Sequence, residues 1–219
     1  MITRYGYDVV GVVVALCLTG IAASWFLVDG RLLKSALIVV AIGLLTFTLY
    51  FFRDPERRSP AGEGLVLSPA DGTVVLIRPT REDEFIGGEA VQVSIFMSPF
   101  NVHVNRWPLD GTVRFFRHIP GEYIVAMDEK SSLRNERTLI GVEHAHGRLL
   151  FKQIAGFIAR RIVAPVQVGD SAVAGQRFGM IKFGSRVDVL LQPGAVINVK
   201  VGDRTVAGET VLARLTPNG

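Results

Sequence analysis

The chain has 219 residues, of which 49% are hydrophobic and 20% charged, and its mean hydropathy is +0.35. A chain this apolar is no plain soluble domain, and its length allows one domain with a real core plus a further element. A single cysteine, Cys17, excludes an internal disulfide framework and a cysteine-cluster metal site, while a net charge of +4 fits an anionic partner, either nucleic acid or acidic lipid.

The first fifty residues favour lipid. Val9 to Val28 is a run of twenty residues without a charge, and after Asp29-Gly-Arg-Leu-Leu-Lys34 a second uncharged run extends from Ser35 to Phe52. At about 1.5 Å per residue each run spans roughly 27–30 Å, close to a bilayer core. Residues 1–52 therefore read as a transmembrane hairpin with helices over about 9–28 and 35–52, Trp25 and Tyr50 serving as interface anchors. The rivals are a cleavable signal peptide and a buried core hairpin. The length of the first run, its weakly basic start and the presence of a second run argue against the signal peptide. Arg4 precedes the hairpin, Arg31 and Lys34 sit in its loop, and Arg53, Arg57 and Arg58 follow it. That bias puts both ends on the cytoplasmic side.

Residues 53–64 form a charged, Pro/Gly-rich linker. Residues 65–219 are dense in short β-prone runs: Leu65–Leu67, Thr73–Ile77, Ala90–Met97, Gly111–Phe116, Thr138–Glu143 and Leu149–Ile154. Turn signals such as Pro69-Ala-Asp-Gly72 and Leu109-Asp-Gly111 separate them. The stretch from Gly156 to Val163 reads as a short helix. From Phe178 to Leu191, apolar residues alternate on both sides of Gly184-Ser185. This predicts strands with one buried face meeting at a tight turn, on these residues alone an ordinary hairpin.

One repeat is visible: Val168-Gly-Asp-Ser-Ala-Val-Ala-Gly-Gln176 matches Val201-Gly-Asp-Arg-Thr-Val-Ala-Gly-Glu209 at an offset of 33. It predicts two quasi-equivalent strand–turn–strand units packing around each other. The pair resembles the half-motifs of biotinyl- and lipoyl-carrier domains, in which a modified lysine occupies the turn between the halves. Ten residues on from Gly175, where a biotinyl domain places its lysine, this chain has Ser185, with Lys182 three residues early. The fold class expected is a mainly β (α+β) domain with a barrel-sandwich-hybrid-like repeat, preceded by the membrane hairpin.

Other chemistries find little support. No Walker or dinucleotide fingerprint occurs, and no carboxylate pair has glycosidase spacing. His144-Ala-His146 offers two ligands, which do not make a zinc site, and His118 has no paired motif. No metal and no nucleic-acid partner is expected. Taken alone, Asp71 reads as a turn residue and His103, in Val-His-Val, as a structural histidine.

Taken together, Phe183-Gly-Ser-Arg186, Ser68-Pro-Ala-Asp-Gly72, Met97-Ser-Pro-Phe-Asn-Val-His-Val-Asn105, Asn135-Glu-Arg137 and Gln153-Ile-Ala-Gly-Phe-Ile-Ala-Arg-Arg-Ile-Val163 resemble the phosphatidylserine decarboxylase family in its short form. The motifs follow the family's order over most of residues 53–219. The resemblance implies a cofactor made from the chain itself. The Ser185 hydroxyl attacks the Gly184 carbonyl to give an ester. β-Elimination and hydrolysis with loss of ammonia then leave a pyruvoyl group, dividing the chain into a β chain (1–184) and an α chain (185–219). The pyruvoyl carbonyl condenses with the substrate amine as a Schiff base and serves as the electron sink when carbon dioxide departs. Serine is a weak nucleophile unaided. His103 is the base this reading implies and the acid for reprotonation, with Asp71 orienting the imidazole. The family's long form has a second histidine where this chain has Arg106, which becomes a candidate for the anionic substrate group. The implied partners are phosphatidylserine, an anionic membrane and the two chains of one precursor, with a homo-oligomer left open. Two rivals stand beside this reading. One is a membrane-tethered biotinyl/lipoyl-like adaptor without catalysis; it gives no reason for Asp71, His103 and Gly184-Ser185 to occur together and lacks coiled-coil heptads. The other is a pyruvoyl decarboxylase of a soluble amino acid, against which the hairpin argues.

Overall fold

In the computed structural model, which describes residues 1–124, 131–156, 161–182 and 185–216, the chain divides into two compact units, Met1–Pro55 and Glu56–Gly219. The first unit holds helices α1 (Tyr7–Leu27) and α2 (Arg31–Phe51), both long and apolar enough to cross a membrane. Leu16, Phe26, Leu32 and Val39 are exposed on them, as expected of helices that are apolar all round. The turn is shorter than the charge pattern suggests, because Arg31 and Lys34 belong to the first turn of α2. Lys34 Nζ reaches back to the Trp25 carbonyl at 3.1 Å and lies over the Trp25 ring. A long cationic side chain can bury its stem and still deliver its charge to an interface, so it need not end a helix. Cys17 Sγ donates to the Ala41 carbonyl across the helix pair, a packing contact. At the open end, Thr3 N–H donates to the Phe52 carbonyl and Asp54 N–H to the Met1 carbonyl.

The second unit is mostly β. Its strands are β1 (Leu65–Leu67), β2 (Gly72–Glu82), β3 (Gly88–Met97), β4 (Val104–Arg106), β5 (Gly111–Ile119), β6 (Arg137–His144), β7 (Gly147–Ala155), β8 (Arg161–Val163), β9 (Ser171–Ala172), β10 (Arg177–Lys182), β11 (Ser185–Leu191), β12 (Val196–Ile197), β13 (Arg204–Thr205) and β14 (Val211–Arg214). A short helix α3 (Ser131–Arg134) precedes β6. Among the described residues these form an eight-stranded antiparallel sheet ordered β13-β2-β3-β11-β7-β6-β5-β9, and two three-stranded sheets, β1-β14-β12 and β4-β10-β8. The long sheet is curled, a half barrel around one apolar core.

Two local expectations are corrected. Ile162 and Val163 do not continue a helix: residues 161–163 form β8, paired with Met180–Lys182, because an open edge of β10 satisfies their backbone groups. Residues 157–160 of the expected helix lie outside the described residues. Nor do the strands flanking Gly184-Ser185 form a hairpin. β10 lies between β4 and β8 in a small sheet, whereas β11 lies between β3 and β7 at the centre of the large one. The chain changes sheets there. Gly184 itself, with Phe183, lies outside the described residues.

The repeat is larger in space than in sequence. Pro69-x-Asp-Gly-Thr-Val74 and Pro108-x-Asp-Gly-Thr-Val113 are a second matched pair, at an offset of 39. Each unites with one copy of the Val-Gly-Asp repeat. Gly72 and Thr73 pair with β13, and Gly111 and Thr112 with β9. Val74 N–H donates to Asp203 O and Val113 N–H to Asp170 O, both at 2.9 Å; Gly208 N–H donates to Ser68 O and Gly175 N–H to Trp107 O. Ala207 N–H donates to Asp71 Oδ1 at 2.7 Å, and Ala174 N–H to Asp110 Oδ1 at 2.9 Å. The two copies form opposite ends of the long sheet and meet at Gly175 and Gly208, whose αL backbones (φ +77° and +75°) a side chain would strain.

Gly72 shows how tightly this frame is built. A Cβ there would stand 2.2 Å from the Phe96 carbonyl oxygen and 2.8 Å from Ile95 Cγ2. The obstacle is ladder backbone, which cannot rotate away. Gly72→Ala is expected to cost about 1–3 kcal/mol, visible as a lower thermal midpoint of the purified protein; an unchanged midpoint would show that β3 can shift.

Candidate active site

The site is built around β11, every residue of which is buried. The period-2 pattern correctly marks Val187, Val189 and Leu191 as one face, packed with Ile95, Val93 and Phe151 in the main core, and Ser185, expected in a turn, is the first strand residue of that face. It wrongly leaves Arg186, Asp188 and Leu190 to solvent. That second face is covered by Phe85, Ile86 and α3, and its polar side chains satisfy one another. Glu82 holds the covering loop down, its carboxylate accepting the N–H groups of Glu84, Phe85 and Ile86.

Ser185, the first residue of β11, is fully buried and stands in register between Met97 on β3 and Ala155 on β7. Its hydroxyl points at the Met97 thioether, Oγ to Sδ 3.2 Å. Sulfur is a weak acceptor, so the hydroxyl is spared a strong competing bond. A chain of carboxamides lies on the same face. Thr138 Oγ1 donates to Gln153 Oε1 at 2.8 Å, Gln153 Nε2 donates to Asn105 Oδ1 at 2.8 Å, and Asn105 Nδ2 donates to the Pro69 carbonyl at 3.2 Å. All of these side chains are buried, and each amide is oriented by its neighbours.

That chain ends on the turn that carries Asp71. Pro69 O also accepts the Arg106 N–H, so the Asp71 turn is pinned to β4. Asp71 Oδ1 caps Ala207 N–H, while Oδ2 accepts from Arg57 Nη2 at 2.9 Å. Its repeat partner Asp110 keeps the first bond but is exposed. Burial and the Arg57 contact are therefore what distinguish Asp71 from Asp110. His103 is fully buried just before β4. Its Nδ1 is 3.0 Å from the Asn101 carbonyl, an oxygen that only accepts, so Nδ1 carries a proton. Arg106, the candidate for the substrate anion, is buried. Its Nη1 donates to the Gly175 carbonyl at 2.9 Å, and its Cδ packs against Gly208.

Asn135 of the Asn-Glu-Arg motif is fully buried. Its side chain donates to Ala155 O at 2.7 Å and to Ile124 O at 2.8 Å, and accepts from Ile124 N–H. It clips the segment before α3 onto the strand residue beside Ser185. Asn105, Gln153 and Asn135 stand inside motifs legible in the sequence, but nothing in their spacing marks them as a connected network. Arg57 lies in the linker, where its composition signals only solvation.

Among the described residues no group of three His, Cys, Asp or Glu side chains could hold a metal ion. His144 and His146 stack edge to face, and His144 Nδ1 accepts the His146 N–H. Burial, then the neighbouring His146, hold His144 below its ordinary pKa, in keeping with a neutral acceptor.

A family model described as phosphatidylserine decarboxylase matches residues 44–213. The chain belongs to the phosphatidylserine decarboxylase family. Curated relatives carry the name phosphatidylserine decarboxylase proenzyme. The one from Chlorobium limicola is 47% identical over 216 residues, covering 98% of this chain and all of its own. Those from Chlorobaculum tepidum (51% over 178 residues; 81% of this chain, 82% of that one) and Symbiobacterium thermophilum (44% over 216 residues; 98% and 96%) are similar over most of their lengths. The matched range includes Ser185, His103 and Asp71.

Proposed function

We propose that this protein is a self-processing phosphatidylserine decarboxylase, a carboxy-lyase that converts phosphatidylserine to phosphatidylethanolamine and carbon dioxide. The reading rests on one observation above all. In a chain of this family, the serine of the Gly-Ser pair opens the central strand, fully buried, where the chain changes sheets. A buried serine with a thioether as its hydroxyl partner has no evident structural task.

The surroundings fit a pyruvoyl group at position 185. That group has no Oγ, so its methyl would need less space than the serine side chain, and Met97 would line it. It is uncharged, which suits a site lined by carboxamides. Once formed, it supplies the electron sink for the pair released with carbon dioxide. The chain's own residues do the rest. His103 Nε2 takes the Ser185 hydroxyl proton during maturation and returns a proton to the substrate carbon during turnover, while Asn101 holds Nδ1 protonated. Asp71, braced by Arg57 and Ala207, supports His103 from the adjoining turn with a fixed negative charge. The Thr138–Gln153–Asn105 chain keeps the Ser185 face of the sheet rigid. Arg106 is the cation we assign to the substrate's anionic part, acting from a side chain already anchored on Gly175.

We infer cleavage between Gly184 and Ser185 into chains 1–184 and 185–219, and a hairpin seated in the cell (inner) membrane with its ends cytoplasmic. The biotinyl-like repeat, with Gly175 against Gly208, supports a barrel-sandwich-hybrid reading of that part of the core. The test is intact-mass analysis under denaturing conditions, joined to carbon dioxide release from vesicles containing phosphatidylserine. Two species, the smaller beginning at a blocked, carbonyl-bearing residue 185, with release from phosphatidylserine vesicles and none from phosphatidylcholine, are expected. A single full-length species without release would overturn the reading.

A further inference from the structure

Arg186 is the largest of the fully buried side chains, at 1% exposure, and it directly follows the serine. Its Nε donates to Asp188 Oδ1 at 2.6 Å and its Nη2 to Ser94 Oγ at 2.8 Å. Ser132 Oγ of α3 donates to Asp188 Oδ2 at 2.5 Å, and Gln92 Nε2 donates to Ser94 Oγ at 2.9 Å. Three segments thus meet in the cluster: β11 and β3 on the guanidinium itself, and α3 on its Asp188 partner. Stability alone is a poor reason for such a cluster, since a buried ion pair can often be replaced by apolar residues at no cost. Chemistry offers a better one. Before cleavage, residue 185 is held by peptide bonds on both sides. After cleavage it is a chain end, without the N–H that a peptide would give the strand ladder and without an ammonium to anchor it. Chain ends fray unless tied down. The first side chain able to tie this one is that of Arg186, which projects to the opposite face of β11 and leaves the reactive face clear.

We propose that the Arg186–Asp188–Ser94–Ser132 cluster is a positioning device that holds the cleaved end in register between Met97 and Ala155, so that it serves turnover and not self-cleavage. This rests on the reading that the chain is cut before Ser185. Loosening the clamp shifts the reacting end, and a misplacement of about 1 Å can cost on the order of a hundredfold in rate.

The test compares wild type, Arg186→Lys and the double variant Arg186→Met/Asp188→Leu, which replaces the pair by apolar side chains and leaves no lone buried charge. Each is made in the active chain and in an uncut Ser185→Ala background. Intact mass reports cleavage, kinetics report kcat and KM, and hydrogen exchange reports protection of residues 186–191. The double variant is expected to cleave fully and to keep KM within about twofold while kcat falls at least tenfold. Residues 186–191 should exchange faster in the cut chain only, with Arg186→Lys intermediate. Exchange equally fast in the cut and uncut chains, unchanged exchange in the cut chain, or impaired cleavage would each overturn the clamp. Failure of wild type itself to cleave would instead overturn the functional reading on which it stands.

Discussion

Ser185→Ala leaves the chain at its full 219 residues and without decarboxylase activity. The substitution removes one oxygen, whose contact in the fold is the Met97 thioether. The Cβ remains, as do the ladder pairings to Met97 and Ala155, so the folded protein and its melting behaviour should be nearly those of wild type. Loss of cleavage then reports chemistry and not misfolding. Without the hydroxyl no ester can form at the Gly184 carbonyl, and the smaller species should fall below detection by intact mass. Carbon dioxide release from phosphatidylserine vesicles should be lost with it. A cut chain in this variant would put the nucleophile elsewhere.

Asp71→Asn slows self-cleavage by at least about tenfold, less than the roughly 10²–10⁴-fold that a positioned acid or base itself contributes, since Asp71 acts through His103. The change is nearly isosteric. The Asn oxygen still accepts the Ala207 N–H, so the turn survives, while the negative charge facing Arg57 is lost. The internal repeat supplies the control. Asp110 makes the same cap to Ala174 from an exposed position, so Asp110→Asn should mature at the wild-type rate. The measurement is the uncut fraction against time after synthesis, followed by intact mass. Normal maturation of Asp71→Asn would remove Asp71 from the mechanism; equal slowing of both variants would assign its effect to the turn.

Some of this was legible without coordinates. The strand runs at Ala90–Met97, Thr138–Glu143 and Leu149–Ile154 occur where their composition places them, because β-branched and aromatic residues bounded by turn residues have few other options. The alternation of Val187, Val189 and Leu191 picked out the core face, but polarity misled on the other. Arg186 and Asp188 look solvated in a one-dimensional pattern, and only the partners Ser94 and Ser132 make their burial tolerable. Gly156–Val163 failed for a related reason, since its strand depends on an edge offered by β10. The two Asp-Gly-Thr-Val stretches were not read as part of the repeat, and it is the bonds to Ala207 and Ala174 that join them to it.

By itself the sequence determined the apolar hairpin, since a charge-free run of bilayer length is decided by the transfer of its own side chains out of water, whatever packs beside it. It also determined the family, through several motifs in one order, and with it the serine to which we assign the chemistry. Only the tertiary structure decided that β10 and β11 belong to different sheets, that β11 is covered on both faces and that Asp71 and Asp110 are counterparts of which one is buried. Those facts lie in pairings between residues as far apart as Arg186 and Ser94, 92 positions, or Ala207 and Asp71, 136 positions, and no local periodicity carries them.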